Sequence, residues 1–204
     1  QITLSRLTAY IAQEPKLHLF NEGDPHIADM YWTSVLYFNS TRELNQANTL
    51  IENNIRNTLR RYYDRLNISS KNEEKKHIRR YLYSDKGKVE LTSRETESNL
   101  TKYFQRLQQN KIIGIDDKEV KMSGGSVVDI CLATNMIQVG IDISRLNIMI
   151  INGQPKTTSE YIQASSRVGR SKSDLGLVFT IYNTSKSRDR SHFERFDHYH
   201  SSIY

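Results

Sequence analysis

Val127–Thr134 reads VVDICLAT and Leu146–Ile151 reads LNIMII. Both runs are short and almost wholly apolar, so they do not alternate as a half-solvated strand would. Continuous apolar runs of this length fit strands buried on both faces, the pattern of a parallel sheet sandwiched between helices. Working outward, Trp32–Phe38 (WTSVLYF), Val89–Thr92 (VELT) and Leu175–Tyr182 (LGLVFTIY) read as further strands. Helical stretches lie between them. Ser40-Thr41-Arg42-Glu43 has the S-x-x-E pattern of a capping box and opens a long polar helix through about Arg65. Thr96–Gln109 places Leu100, Tyr103, Phe104 and Leu107 at i, i+3, i+4 and i+7. Thr157-x-x-Glu160 is a second capping box, opening a helix that carries Tyr161 to about Arg167. Asp116–Ser126, with Gly124-Gly125, reads as a loop, and Arg188–Tyr204 as a last helix with its aromatics on one side. Strand–helix units repeated in this way predict an α/β fold with a mostly parallel sheet covered by helices on both faces. Working residues of such sheets gather on loops beyond the carboxyl ends of the strands.

The chain has 204 residues and a mass of 23.8 kDa, one domain's worth or a domain with extensions. Twelve of its aromatics are Tyr and 37 % of its residues are hydrophobic, so the core is economical and the surface polar. No apolar run approaches the ~20 residues of a membrane span, and no signal-peptide pattern opens the chain. The single cysteine, Cys131, rules out a disulfide framework or a Cys-based zinc cluster and fits a reducing, cytoplasmic setting. Its place inside an apolar strand predicts an inert buried thiol. Residues 1–29 do not fit the alternation and read as a lead-in from a preceding domain, and the start at Gln1 suggests a piece of something longer. The net charge is +6, and residues 51–88 hold 11 Lys/Arg against 5 Asp/Glu. Interleaved with Tyr62, Tyr63, Tyr81 and Tyr83, that block suits either a phosphate backbone or a plain solvated face.

The densest chemistry follows Leu146–Ile151. Tyr161–Arg170 reads YIQASSRVGR, which on a helix at 100° per residue sets Gln163, Arg167 and Arg170 within a sector of about 60°. Arginine presents a planar, permanently charged fork suited to phosphate oxygens. A bare R-x-x-R is usually a pair of solvated surface charges.

This one is not bare, because Q-x-x-[GS]-R-x-G-R resembles motif VI of the superfamily 2 helicases and translocases. Ala133–Ile143 (ATNMIQVGIDI) is similar to motif V, Leu36–Arg42 (LYFNSTR) to motif IV, and Leu91–Arg94 (LTSR) to the strand-end phosphate contact between them. The four occur in family order. Tyr31–Leu44, Gln154–Arg170 and Tyr182–Tyr204 resemble large bacterial helicase-like proteins, including those of DISARM-type anti-phage systems. The resemblance implies a RecA-like three-layer domain, the second of a two-domain motor, over residues 30–183, with a helical extension at 184–204. It implies that Arg170 is an arginine finger to the γ-phosphate of ATP, Arg167 a second phosphate-facing arginine, and Gln163 the residue coupling nucleotide to the cleft. Gly140 and Asp142 match nucleotide-side positions. Thr41, Arg42, Ser93, Arg94 and Thr134 match positions that hold a nucleic-acid backbone, with DNA favoured over RNA. Short hydroxyls and arginines at strand ends suit phosphates without reading bases. Ser166 departs from the family's usual Gly.

No G-x-x-x-x-G-K-[ST] occurs, and no Asp-Glu pair ends an apolar strand, since Asp116-Asp117 lies in a polar stretch. ATP and Mg²⁺ are therefore expected to be bound mainly by an N-terminal RecA-like domain, and this stretch alone is expected to be inactive. His192, His198 and His200 lack metal-ligand spacing, so no metal site is expected. The aromatics Phe193, Phe196, Tyr199 and Ile203 suit packing on the sheet or a neighbouring domain. Two rival readings are a non-catalytic RecA-like scaffold that grips nucleic acid or docks partners, and a small-molecule enzyme. The second lacks any G-x-G-x-x-G or nucleophile elbow.

Overall fold

The computed structural model describes residues 2–65, 80, 82, 87–116, 119–122, 127–134, 143–171 and 174–201. Five parallel strands form one sheet in the order β2-β5-β1-β6-β7: β1 Ser34–Phe38, β2 Lys88–Leu91, β5 Ile130–Ala133, β6 Ile148–Asn152 and β7 Leu177–Ile181. β1 and β5 are buried at every position, which is why their sequences run apolar without alternating. A separate antiparallel hairpin pairs β3 (Ile112–Asp116) with β4 (Glu119–Met122). Part of the stretch expected as a loop is therefore strand, and Asp116 ends β3.

Helices cover both faces. On one, α1 (Ile2–Phe20), α3 (Thr41–Leu50) and α4 (Arg56–Arg65) supply Leu4, Ala9, Ile11, Ala12, Leu44, Ala47 and Leu59 to a core with Leu36, Phe38, Leu132 and Ile150. On the other, α5 (Glu97–Leu107) and α6 (Thr158–Ser165) supply Leu107 and Ala164 to a core with Val35, Tyr37, Cys131 and Met149. The layer order is the α/β arrangement expected. Within 1–29, the stretch read as a lead-in from a preceding domain, the chain forms α1 and most of α2 (Pro25–Met30), and α1 buries its Leu4/Thr8/Ile11/Ala12/Pro15 stripe against the sheet. The long polar helix is present but carries a π-helical turn at Ile51–Ile55 between α3 and α4. The box at its start is half made. Ser40 Oγ accepts from the Glu43 amide at 3.2 Å, while Glu43 turns away to Lys186 Nζ at 2.7 Å.

Charges are buried at the amino ends of the strands. Asp29 accepts from the amides of Lys111 (2.6 Å) and Ile112 (3.0 Å) and pairs with Arg145 at 3.4 Å. Asp129 Oδ1 accepts from Arg80 (2.7 Å) and from the Trp32 indole (2.9 Å), and the Arg80 guanidinium lies 4.2 Å over that ring. Arg80, counted in the basic block as a solvated or phosphate-tracking charge, is 2 % exposed and also donates to Ala12 and Trp32 carbonyls. It is a structural cross-tie. Burial lowers the pKa of Arg145, with Asp29 opposing, and burial followed by repulsion from Arg80 and Lys111 lowers that of Lys16.

The tail also differs from expectation. The single helix breaks at Arg195 into α7 (Ser187–Glu194) and α8 (Phe196–Ser201), so its aromatics do not form one sheet-facing side. His192 stacks on Tyr199 and His200 on Phe196, both at 3.8 Å between centroids.

Burial pushes the Cys131 thiol up to about 12. The unfolded thiol ionises near pH 9 while the folded one keeps its proton, so stability falls as pH rises through that window. Urea midpoints should drop between pH 9 and 12, and Cys131→Val should make that decline shallower. An unchanged slope in the variant would refute this origin.

Candidate functional site

All five strands run the same way, so their carboxyl ends share one edge. At the end of β1, Asn39 Nδ2 donates to the carbonyls of Asn152 (3.3 Å), Gly153 (3.1 Å) and Gln154 (3.3 Å), which fixes the β1 exit against the β6 exit. Thr41 is half-buried and Arg42 exposed on the first turn of α3. At the end of β2, buried Thr92 builds a turn. Its carbonyl accepts from the Glu95 amide at 3.2 Å, and its hydroxyl accepts from the Arg94 amide at 3.4 Å while donating to Glu90 at 3.0 Å. That turn leaves Ser93 and Arg94 exposed, with Arg94 Nη1 donating to Asn45 of α3 at 3.4 Å. Thr134, at the end of β5, donates its amide to the Leu91 carbonyl at 3.2 Å and is 6 % exposed. Thr41, Arg42, Ser93, Arg94 and Thr134 therefore share one sheet edge, four at the surface and Thr134 behind them.

Gly153, with φ +84°, sits where an added Cβ would meet Asp189 Oδ2 at 3.3 Å. Asp189, fully buried in α7, accepts from the amides of Gln154 (3.1 Å) and Asn183 (2.9 Å). The tail is thus pinned to the β6 and β7 exits. Sequence reading missed Asn39, Thr92 and Asp189. The only signal for the first two was their place beside the motif IV step and the strand-end phosphate contact.

The Q-x-x-S-R-x-G-R segment has a different geometry from the expected single helix face. The capping box of α6 is complete: the Glu160 amide donates to Thr157 Oγ1 at 3.1 Å, and the Thr157 amide to Glu160 Oε2 at 3.3 Å. Gln163 is exposed on α6, but that helix stops at Ser165, with Ser166 as its C-cap at φ −69° and ψ 0°. Arg167 and Arg170 lie beyond it, and the shared-face expectation fails there. A left-handed Gly169 (φ +68°) turns the chain, and its amide donates to the Leu146 carbonyl at 2.9 Å, just before β6. The Leu177 amide then donates to Asn147 at 2.7 Å to begin β7. Arg167, half-buried, and Arg170, exposed, therefore stand at the amino edge of the sheet. They are separated from the carboxyl edge by the eight residues of α6, about 12 Å of rise. Gly140 and Asp142 lie outside the described residues.

Residues 30–172 match the family described as Helicase conserved C-terminal domain. The chain belongs to that family. It is also 42 % identical over 201 residues to the DISARM protein DrmA of Bacillus paralicheniformis, a match that covers 98 % of this chain and 16 % of that protein. The chain thus spans well under two thirds of that relative's length. In this helicase C-terminal domain, the usual motif VI glycine has no conformational task at Ser166, whose φ any residue adopts, and its hydroxyl simply returns to the Gln163 carbonyl at 3.4 Å. The glycine that matters is Gly169. A Cβ there would lie 2.5 Å from both Cα and N of Gly176, backbone that cannot step aside.

Among the described residues, no three His, Cys, Asp or Glu side chains come together to hold a metal ion. Gly169→Ala should destabilise the domain by about 3 kcal/mol, combining the left-handed penalty with the backbone collision. Ser166→Gly should stay within about 1 kcal/mol. Urea denaturation of the two variants side by side checks this, and equal effects would refute the assignment.

Proposed function

We propose that this domain is the second motor domain of an ATP-dependent superfamily 2 helicase or translocase. The observation that carries the reading is the division of the motif residues between two opposite edges of one parallel sheet. In this account Thr41, Arg42, Ser93 and Arg94 hold phosphates of a nucleic-acid backbone, with Thr134 bracing the strand end behind them. Hydroxyls and arginines at strand ends position a backbone without reading sequence. DNA is the proposed track, and a DISARM-type defence system is the proposed setting, the latter by likeness to the relative named above.

Arg170, with Arg167 beside it, meets the phosphates of ATP bound in an N-terminal RecA-like domain, and Gln163, Gly140 and Asp142 complete the nucleotide side. Mg²⁺, held by that other domain, neutralises phosphate charge when bound. Arg170 stabilises the charge that develops on the transferring phosphoryl group, a contribution on the order of 10³–10⁵ in rate for an arginine finger. Cleft closure and opening shift the carboxyl edge along the track only because its contacts differ between the two states.

The test is ATP turnover by the full-length protein with duplex DNA, single-stranded DNA or RNA. Arg170→Ala should lower stimulated turnover at least ~100-fold and leave polynucleotide affinity near wild type. Binding without turnover in the wild type, under every condition, would instead support a non-catalytic scaffold.

A further inference from the structure

In a complete capping box, Glu43 would fold its carboxylate back onto the Ser40 amide. It does not. Glu43 Oε1 instead accepts from Lys186 Nζ at 2.7 Å, a contact across 143 positions of sequence. Glu43 Oε2 is buried and makes no hydrogen bond among the described residues, so it is Lys186 that answers the charge of this carboxylate. A cap between neighbours has been exchanged for a pair with the tail.

Lys186 stands on a fixed backbone. It is the N-cap of α7, and its amide donates to the Asn183 carbonyl at 2.9 Å. Three residues on, Asp189 accepts from the amides of Gln154 and Asn183, which ties the start of α7 to the β6 and β7 exits. Between α3, those exits and α7 lies a cavity of about 530 Å³, whose charged lining is Glu43, Asp189 and Lys186. Two carboxylates against one ammonium make it a poor place for a phosphate. The two carboxylates differ, however. Both oxygens of Asp189 are taken by backbone amides, whereas the Glu43 side chain is 26 % exposed. Glu43 also follows directly on Thr41 and Arg42 in the first turn of α3. Without the ammonium, an unanswered carboxylate would stand beside the groups assigned to the nucleic-acid backbone.

We propose that Lys186 is a positioning residue for the phosphate track: by holding and neutralising Glu43, it keeps that charge from opposing a nucleic-acid backbone at Thr41 and Arg42. The inference rests on the motor reading above and brings the tail into it. A partly exposed pair of this kind adds little to folding stability, but its effect on a neighbouring anion is direct. For like charges roughly 8 Å apart at an effective dielectric constant of about 40, the repulsion corresponds to about 5-fold in a dissociation constant. Lys186 acts here through Glu43 and not on the strand itself, so removing both charges should cost nothing.

The experiment is equilibrium binding of fluorescent single-stranded and duplex DNA to the full-length protein, with the active fraction of each variant titrated first. Lys186→Met keeps the apolar stem and removes the charge, and should weaken binding about 5-fold. Adding Glu43→Gln to that variant should restore wild-type affinity, and Lys186→Arg should bind like wild type. The double variant lacks the ion pair as completely as Lys186→Met does, so a pair that merely tied the tail down would not be rescued. The deficit of Lys186→Met should also shrink as added salt shortens the screening length to ~10 Å and below. A double variant as weak as Lys186→Met would overturn the proposal, since Lys186 would then touch the strand or serve only the fold. Wild-type affinity in Lys186→Met, with Arg94→Ala still weakened, would overturn it too and leave the motor reading standing. If the wild type binds no polynucleotide, the motor reading falls and this inference with it.

Discussion

β1 is buried along its whole length and flanked by parallel partners on both sides, and the rest of the domain follows from that. Parallel neighbours need crossover helices, so the chain must pass over one face between β1 and β2 and over the other between β6 and β7. The exits of β1 and β6 lead to opposite sides of the sheet, which makes the gap between them the switch point where open α/β sheets keep their working groups. Here the gap is closed by protein. Asn39 reaches across to three carbonyls after β6, and Asp189 holds the amides that follow. The surface groups beside this clamp, Arg42 and Arg94 among them, stand on backbone that is cross-tied on both sides.

The same constraint places the arginine segment. A crossover from β6 to β7 must return to the amino edge, and α6 spends its eight residues doing so. The turn into β7 then has little room, because Gly169 and Gly176 pass backbone against backbone. Arg167 and Arg170 flank that contact. Their position is set by the loop's closure rather than by helical periodicity, and the buried pairs Asp29–Arg145 and Asp129–Arg80 stiffen the edge they stand on.

Much of this was legible in the residues. The apolar runs located the parallel strands, and the Thr157–Glu160 pair located a capping box that is fully formed. The Asn39–Arg42 and Thr92–Arg94 steps pointed to strand exits. Periodicity could not see where α6 ends, because Val168 continues the apolar spacing while the chain has already left the helix. Nor did it find α1, whose buried positions interleave Leu4 and Ile11 with small or polar groups (Ser5, Thr8, Ala9, Ala12, Gln13) and an internal Pro15. In the hairpin, β4 (EVKM) was hidden by its polar sequence and the glycines after it, and the apolar run of β3 (IIGID) is interrupted by Gly114. Arg80 looked like one charge in a basic block, since nothing local announces that Asp129 and Trp32 will enclose it. Such long-range pairs are fixed by topology and leave no trace in spacing.

The central claim is that the two edges of the sheet serve different ligands. Hydrogen–deuterium exchange of the full-length protein tests it most directly, with single-stranded DNA alone and with a non-hydrolysable ATP analogue alone. The account predicts that DNA slows exchange at 40–44 and 92–95 but not at 167–171, and that the analogue does the reverse. Protection of 167–171 by DNA to the same degree as 92–95 would contradict it.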